Sequence, residues 1–141
     1  MPDVHEQFSE ATDLAELGRY EEALALFLVL LKTDSNNATI WNNIGIIRFR
    51  HGDYRDAVNA FGQAADIDPA STDALFNKSL ALVHLGKETE ALRALDKVLT
   101  LNPRDNEAQS QRALIVGKLA RAGEKKKPGP EPEPVQSQLR V

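Results

Sequence analysis

Apolar residues recur along this chain in short bursts at helical spacing. Ile40, Trp41, Ile44 and Ile47 fall on one face of a predicted helix, and Ala57, Phe61, Ala64 and Ala65 fall on one face of a second. Between the bursts stands Gly52, placed to take the left-handed conformation that closes a helix. Asp53 follows, placed to cap the next helix, with Asp56 in its first turn. Pro69 then stops the second helix, because it donates no backbone hydrogen bond and restricts the residue before it. The predicted unit is a helical hairpin closed by a tight turn.

The same unit is written three times. "GRYEEA" begins at Gly18, "GDYRDA" at Gly52 and "GKETEA" at Gly86, and the intervals are 52 − 18 = 34 and 86 − 52 = 34. With Ala23, Ala57 and Ala91 aligned, Phe27, Phe61 and Leu95 come into register without a gap. So do Leu30, Ala64 and Val98, and the small residues Ala11, Gly45 and Ser79. Pro69 and Pro103 share a position that Ser35 fills in the first unit. A fixed period of this size indicates stacked repeats sharing a continuous core. The small residues, facing alanine, predict a close crossing of the two helices in each hairpin, with Trp41 and Phe61 interlocking around it.

These positions give the chain its resemblance to the tetratricopeptide repeat family. Trp41, Ile44-Gly45, Gly52-Asp53-Tyr54, Ala57, Phe61, Ala64 and Pro69 follow that family's pattern in order. The resemblance implies an all-α fold, a right-handed superhelix of three helix-turn-helix repeats with a C-terminal capping helix. The repeats are expected over 4–37, 38–71 and 72–105 and the capping helix over 106–121, within a domain of residues 1–122. The closing helix is expected to pack through Ala113, Leu114, Val116 and Leu119, with Gln111, Arg112 and Lys118 outside that stripe, since an open stack needs a polar outer cap. Gln7 and Glu10 depart from the family pattern where no unit precedes the first. Arg48 and Lys78 stand where apolar groups are usual, and both can bury their stems and keep the charge in water.

Composition narrows the function. The formal net charge of −4 argues against a nucleic-acid partner, which requires a concentrated basic face. That charge is graded, from −6 over residues 1–37 (8 acids, 2 bases) to +2 over residues 106–122 (1 acid, 3 bases). With no cysteine there is no disulfide, thiolate or cysteine-zinc chemistry. The longest apolar run, Ala23 to Leu31, falls far short of the roughly 20 residues that span a bilayer, and the N-terminus lacks the features of a secretory signal. A soluble, cytoplasmic protein without a membrane partner is expected. His5, His51 and His84 fall at different unit positions without metal-ligand spacing, and no glycine-rich phosphate loop is present, so neither enzyme chemistry nor a cofactor is expected.

The expected partner is another protein. In the family, the first helices of the units line a concave groove, and carrying its groove positions across gives Phe8, Thr12, Asn42, Asn43, Ile46, Phe49, Arg50, Phe76, Asn77, Leu80, Val83 and His84. Further groove positions are His5, Ser9, Glu16, Thr39 and Asp73, with Gln111 and Leu114 from the closing helix. The apolar members could equally be core. Asparagine is a weak helix former, so amides inside these helices suggest groups held ready for a peptide backbone, with Asn43 and Asn77 the expected contacts. The family's clamp for acidic C-termini uses five positions that here read Phe8, Thr12, Asn43, Asp73 and Asn77, of which only Asn43 matches. An apolar or amphipathic segment suits this groove better than an acidic one.

Two alternatives stand beside this reading. Leu28 and Val29, on the outer face of the second helix, could mediate self-association into a homo-oligomer. Residues 123–141, rich in Pro, Glu and Lys, are expected to form a disordered tail, and Val135 or Leu139 from it could occupy and regulate the groove.

Overall fold

Seven α-helices follow one another among the described residues, 3–123 and 138–141, of a computed structural model. They are α1 (Val4–Glu16), α2 (Tyr20–Thr33), α3 (Ala38–Arg50), α4 (Tyr54–Ile67), α5 (Thr72–His84), α6 (Glu88–Leu101) and α7 (Asn106–Gly123). The pairs α1–α2, α3–α4 and α5–α6 form three hairpins, and each hairpin's first helix begins where a 34-residue unit begins. No strand occurs among the described residues.

Each hairpin closes at its glycine. Gly18, Gly52 and Gly86 have φ of 78°, 89° and 73°, the left-handed region that a side chain resists. Asp53 is the N-cap residue of α4 by position, but contrary to expectation its side chain makes no capping bond. Its carboxylate turns instead to His51 Nδ1 at 2.9 Å and lies 3.9 Å from Arg48. Side-chain capping falls on the first helices. Asp3, Asn37, Ser71 and Asp105 accept from the backbone N–H three residues on, at the starts of α1, α3, α5 and α7. These four are themselves spaced by 34 residues.

The close crossing is real, with one refinement: the partner of Gly45 is the ring of Phe61. A methyl group at Gly45 would press on Cε1 and lie 2.5 Å from Cδ1 and 2.9 Å from Cζ. Glycine is required there because nothing larger leaves room for a phenylalanine whose own burial is complete. Two apolar clusters result. One joins the first unit to α3 through Phe27, Leu30, Ile40 and Ile44; the other runs from Ile46 and Phe49 through Phe76, Leu82 and Leu95 to Ala108, Ile115 and Leu139.

The closing helix corrects the sequence reading. Its buried residues are Ala108 and Ile115, whereas Ala113, Leu114, Val116 and Leu119 are exposed. Gln111 and Lys118, expected outside, lie on the packed side; Lys118 pairs with Glu88 of α6 at 2.9 Å and holds that carboxyl below its usual range. The cause is register. Ala108 and Ile115 occupy the places of Ala74 and Ala81 one unit earlier, and the expected stripe faces where a second helix would pack. No eighth helix is found among the described residues. The helix also runs to Gly123, two residues past its expected end.

Candidate functional site

The first helices of the units share one side of the stack, and residues 138–141 lie on it. Five helices line their path. Gln111 of α7 donates to the Gln138 side chain at 2.7 Å. Asn77 of α5 holds the backbone of Arg140 at both ends, its Nδ2 donating to the carbonyl and its Oδ1 accepting from the N–H, each at 2.8 Å. Asn42 of α3 also donates to the Arg140 carbonyl, at 3.2 Å. Val141, itself largely exposed, borders a small pocket that is also lined by Thr12, Ala15 and Glu16 of α1, Phe27 of α2, and Asn43, Ile46, Ile47 and Arg50 of α3. The segment therefore crosses the wall from α7 towards α1.

Asn77 carries this arrangement. It is fully buried, and the same Nδ2 that reaches Arg140 also donates to Asn42 Oδ1 at 3.1 Å, which fixes the second amide. A buried side-chain amide without partners is costly, so these two asparagines depend on the backbone they hold. Because they bind N–H and C=O, this contact is indifferent to the side chain between them.

Side-chain contacts add selectivity. Leu139 is buried and belongs to the apolar cluster that includes Phe76 and Leu80. The Arg140 guanidinium lies over the Phe76 ring, 3.9 Å from its centroid, and donates to Asp105 Oδ1 at 2.8 Å. Glu107 and Asp73 stand 3.8 and 3.9 Å away. Asp105 also caps α7, so its carboxylate is already oriented when the guanidinium arrives. Arg140 beside it holds the Asp105 carboxyl below the usual range; burial opposes this, and the bond from Ala108 N–H helps it. Among the described residues no buried side-chain N or O lacks a partner.

The expected groove residues divide into groups. Asn42, Phe76 and Asn77 engage Arg140, and Thr12, Asn43, Ile46 and Arg50 surround the Val141 pocket. The amide that reaches backbone alongside Asn77 is Asn42, whereas Asn43 was expected to do so. Phe8 packs edge-on against Phe27, with centroids 5.6 Å apart. Phe49 lies buried against Tyr54 and His84, and Val83 packs against the same cluster. His84 stacks on Tyr54 at 4.1 Å, and burial lowers its pKa from the usual 6.5. His5, Ser9, Thr39 and Leu114 are exposed. Leu28 and Val29 are exposed by 44% and 48% on the outer face.

Asp105 and Glu107 are the residues that sequence reasoning missed. Asp105 was legible as a member of the 34-residue series of helix-capping residues. Among the described residues no group of three His, Cys, Asp or Glu could hold a metal ion, and no helix is long and apolar enough to cross a membrane.

The tetratricopeptide repeat pattern matches residues 8–54 and 42–106. Protein STIP1 homolog of Dictyostelium discoideum is 30% identical over 97 residues, which is 69% of this chain and 17% of the relative. The chain thus spans a small part of that protein. Among solved structures, the Sgt2 TPR domain from Aspergillus fumigatus superimposes with a TM-score of 0.81 at 17% identity, covering 96% of this chain and 91% of that one. The first TPR of Spaghetti (RPAP3), bound to the HSP90 peptide SRMEEVD, gives 0.77 at 24% identity, covering 81% and 90%. Three hairpins with left-handed glycine turns, a closing helix and a pattern match across most of residues 8–106 make one conclusion plain: the chain belongs to the tetratricopeptide repeat family.

Proposed function

We propose that this protein is a non-catalytic adaptor whose inner wall holds an extended, amphipathic segment of a partner protein. The observation that carries the reading is the pair of hydrogen bonds between Asn77 and the backbone of Arg140, since a wall that grips one backbone can grip another. The peptide-bound fold relative supports the mode, but the acidic HSP90 peptide does not suit a wall that presents Asp73 and Asp105. The cytoplasm is the proposed compartment, with neither nucleic acid nor membrane as partner.

A second reading rests on the same segment: residues 138–141 regulate the wall by occupying it. Leu139, foreseen as an occupant, is buried there, and Val135 lies outside the described residues. A tethered segment acts at an effective concentration of about millimolar, so a weak partner competes poorly until the segment leaves.

A photo-crosslinking residue placed at Asn43, with Gln63 on the outer face of α4 as control, tests both readings in cells. Peptides of partner proteins should be captured from position 43 and not from 63, and more strongly when Arg140→Ala loosens the chain's own segment. Identical captures from both positions would refute the inner wall as the site.

A further inference from the structure

We infer that the wall contains a dedicated arginine subsite, built by Phe76, Asp105, Asp73 and Glu107, and that its partner is an extended segment carrying an apolar residue followed by arginine, as Leu139-Arg140 does. This deepens the peptide-binding reading and rests on it.

The chemistry is specific to guanidinium. Arg140 offers a flat cationic face to the Phe76 ring while its edge reaches Asp105, and its side chain is 15% exposed. Lysine carries a compact, strongly hydrated point charge that cannot stack and bridge in this way. Three carboxylates from two helices and a cap surround a single cation, so the site carries excess negative charge and disfavours acidic segments. Asp105 is held by its bond from Ala108 N–H, which makes the acceptor preorganised. The apolar residue before arginine has its own place in the Phe76 and Leu80 cluster. Backbone capture by Asn42 and Asn77 sets the register, so these two side chains are the ones read.

The test uses the full chain carrying Leu139→Asp and Arg140→Pro, which together remove the buried apolar side chain, the guanidinium and the N–H that Asn77 accepts and so free the wall, and a fluorescent synthetic peptide with the sequence of residues 136–141. Binding is compared with peptides in which the arginine is replaced by lysine, alanine or glutamate. The arginine peptide should bind about tenfold or more tightly than the others, the difference expected of a charge-assisted contact that is partly desolvated. Asp105→Asn in the protein should erase that preference while keeping the fold, because asparagine caps a helix as well as aspartate does. Equal binding of all four peptides would overturn the arginine subsite and leave the peptide-binding wall standing. Absence of binding by any peptide would overturn the subsite too, and the crosslinks from position 43 then decide whether the wall binds other segments. A second readout needs no added peptide. In the otherwise unaltered chain, the Arg140 Nη2 protons that Asp105 accepts should exchange slowly with solvent, and Asp105→Asn should accelerate that exchange. Fast exchange in both proteins would contradict the site.

Discussion

A methyl group added at Gly45 has two opposing effects. Inside α3 it removes the helix penalty of glycine, a gain of about 0.8–1 kcal/mol. It also drives three atoms of the Phe61 ring outwards, in a core where Phe61 has no exposed surface. Overpacking of this kind costs about 1–3 kcal/mol. Gly62, inside α4, supplies the control, because a methyl there would meet only the end of Lys78, 3.9 Å away. The helix gain is common to both substitutions, so the difference between Gly45→Ala and Gly62→Ala isolates the crowding at the hairpin crossing. Urea unfolding followed by circular dichroism should place the two midpoints about 0.5–1.5 M apart, taking a slope of about 2 kcal/mol per M. Gly62→Ala should be the more stable and should exceed the unaltered protein. Equal midpoints, or a more stable Gly45→Ala, would refute the claim that α3 and α4 touch through this glycine.

Other expectations follow from single contacts. Ser71→Ala removes the cap from Ala74 N–H and should destabilise the protein by about 1 kcal/mol, read from the same urea curves. His84 has its pKa lowered by burial, so the folded state favours the neutral ring. Above pH 6.5 both states leave it neutral; as the pH falls below 6.5 the unfolded chain binds the proton first and stability declines towards the lowered folded value. His84→Gln should flatten that decline between pH 7.5 and 5.5. Asp105 shifts in the acid range: its pairing is fully present above about 3.8 and is lost as the pH falls through its lowered value, releasing Arg140, which ring-shifted NMR signals would report.

The hairpins were legible because three copies in register reveal one another. Gly52 alone says little, whereas Gly18, Gly52 and Gly86 at equal intervals fix three turns, and Ala11, Gly45 and Ser79 fix three crossings. The errors arose where the repeat was not followed. Periodicity within α7 pointed to Leu114 and Val116, yet carrying the register of Ile40 and Ala74 forward one unit reaches Ala108, the residue the fold buries. Asp53 looked like a cap by residue type and place, but its backbone ψ of 66° accompanies a side chain turned towards His51. Leu139 was named beside Val135 as an occupant, and Asn77 was expected to hold a partner's backbone, whereas here it holds that of the chain's own Arg140. The arginine subsite was not foreseen, because Phe76, Asp105 and Arg140 are distant in sequence and only the folded stack with the seated segment brings them together.

The most direct test of the account is an NMR spectrum of the uniformly labelled full chain, read for contacts between the Arg140 side chain and the Phe76 ring. A segment held on the inner wall predicts cross-peaks between them and upfield-shifted Arg140 δ protons, both lost when Asn77 is replaced by alanine in a protein that remains helical. Arg140 signals at unstructured positions, with no contact to Phe76, would contradict the claim that this wall grips an extended chain.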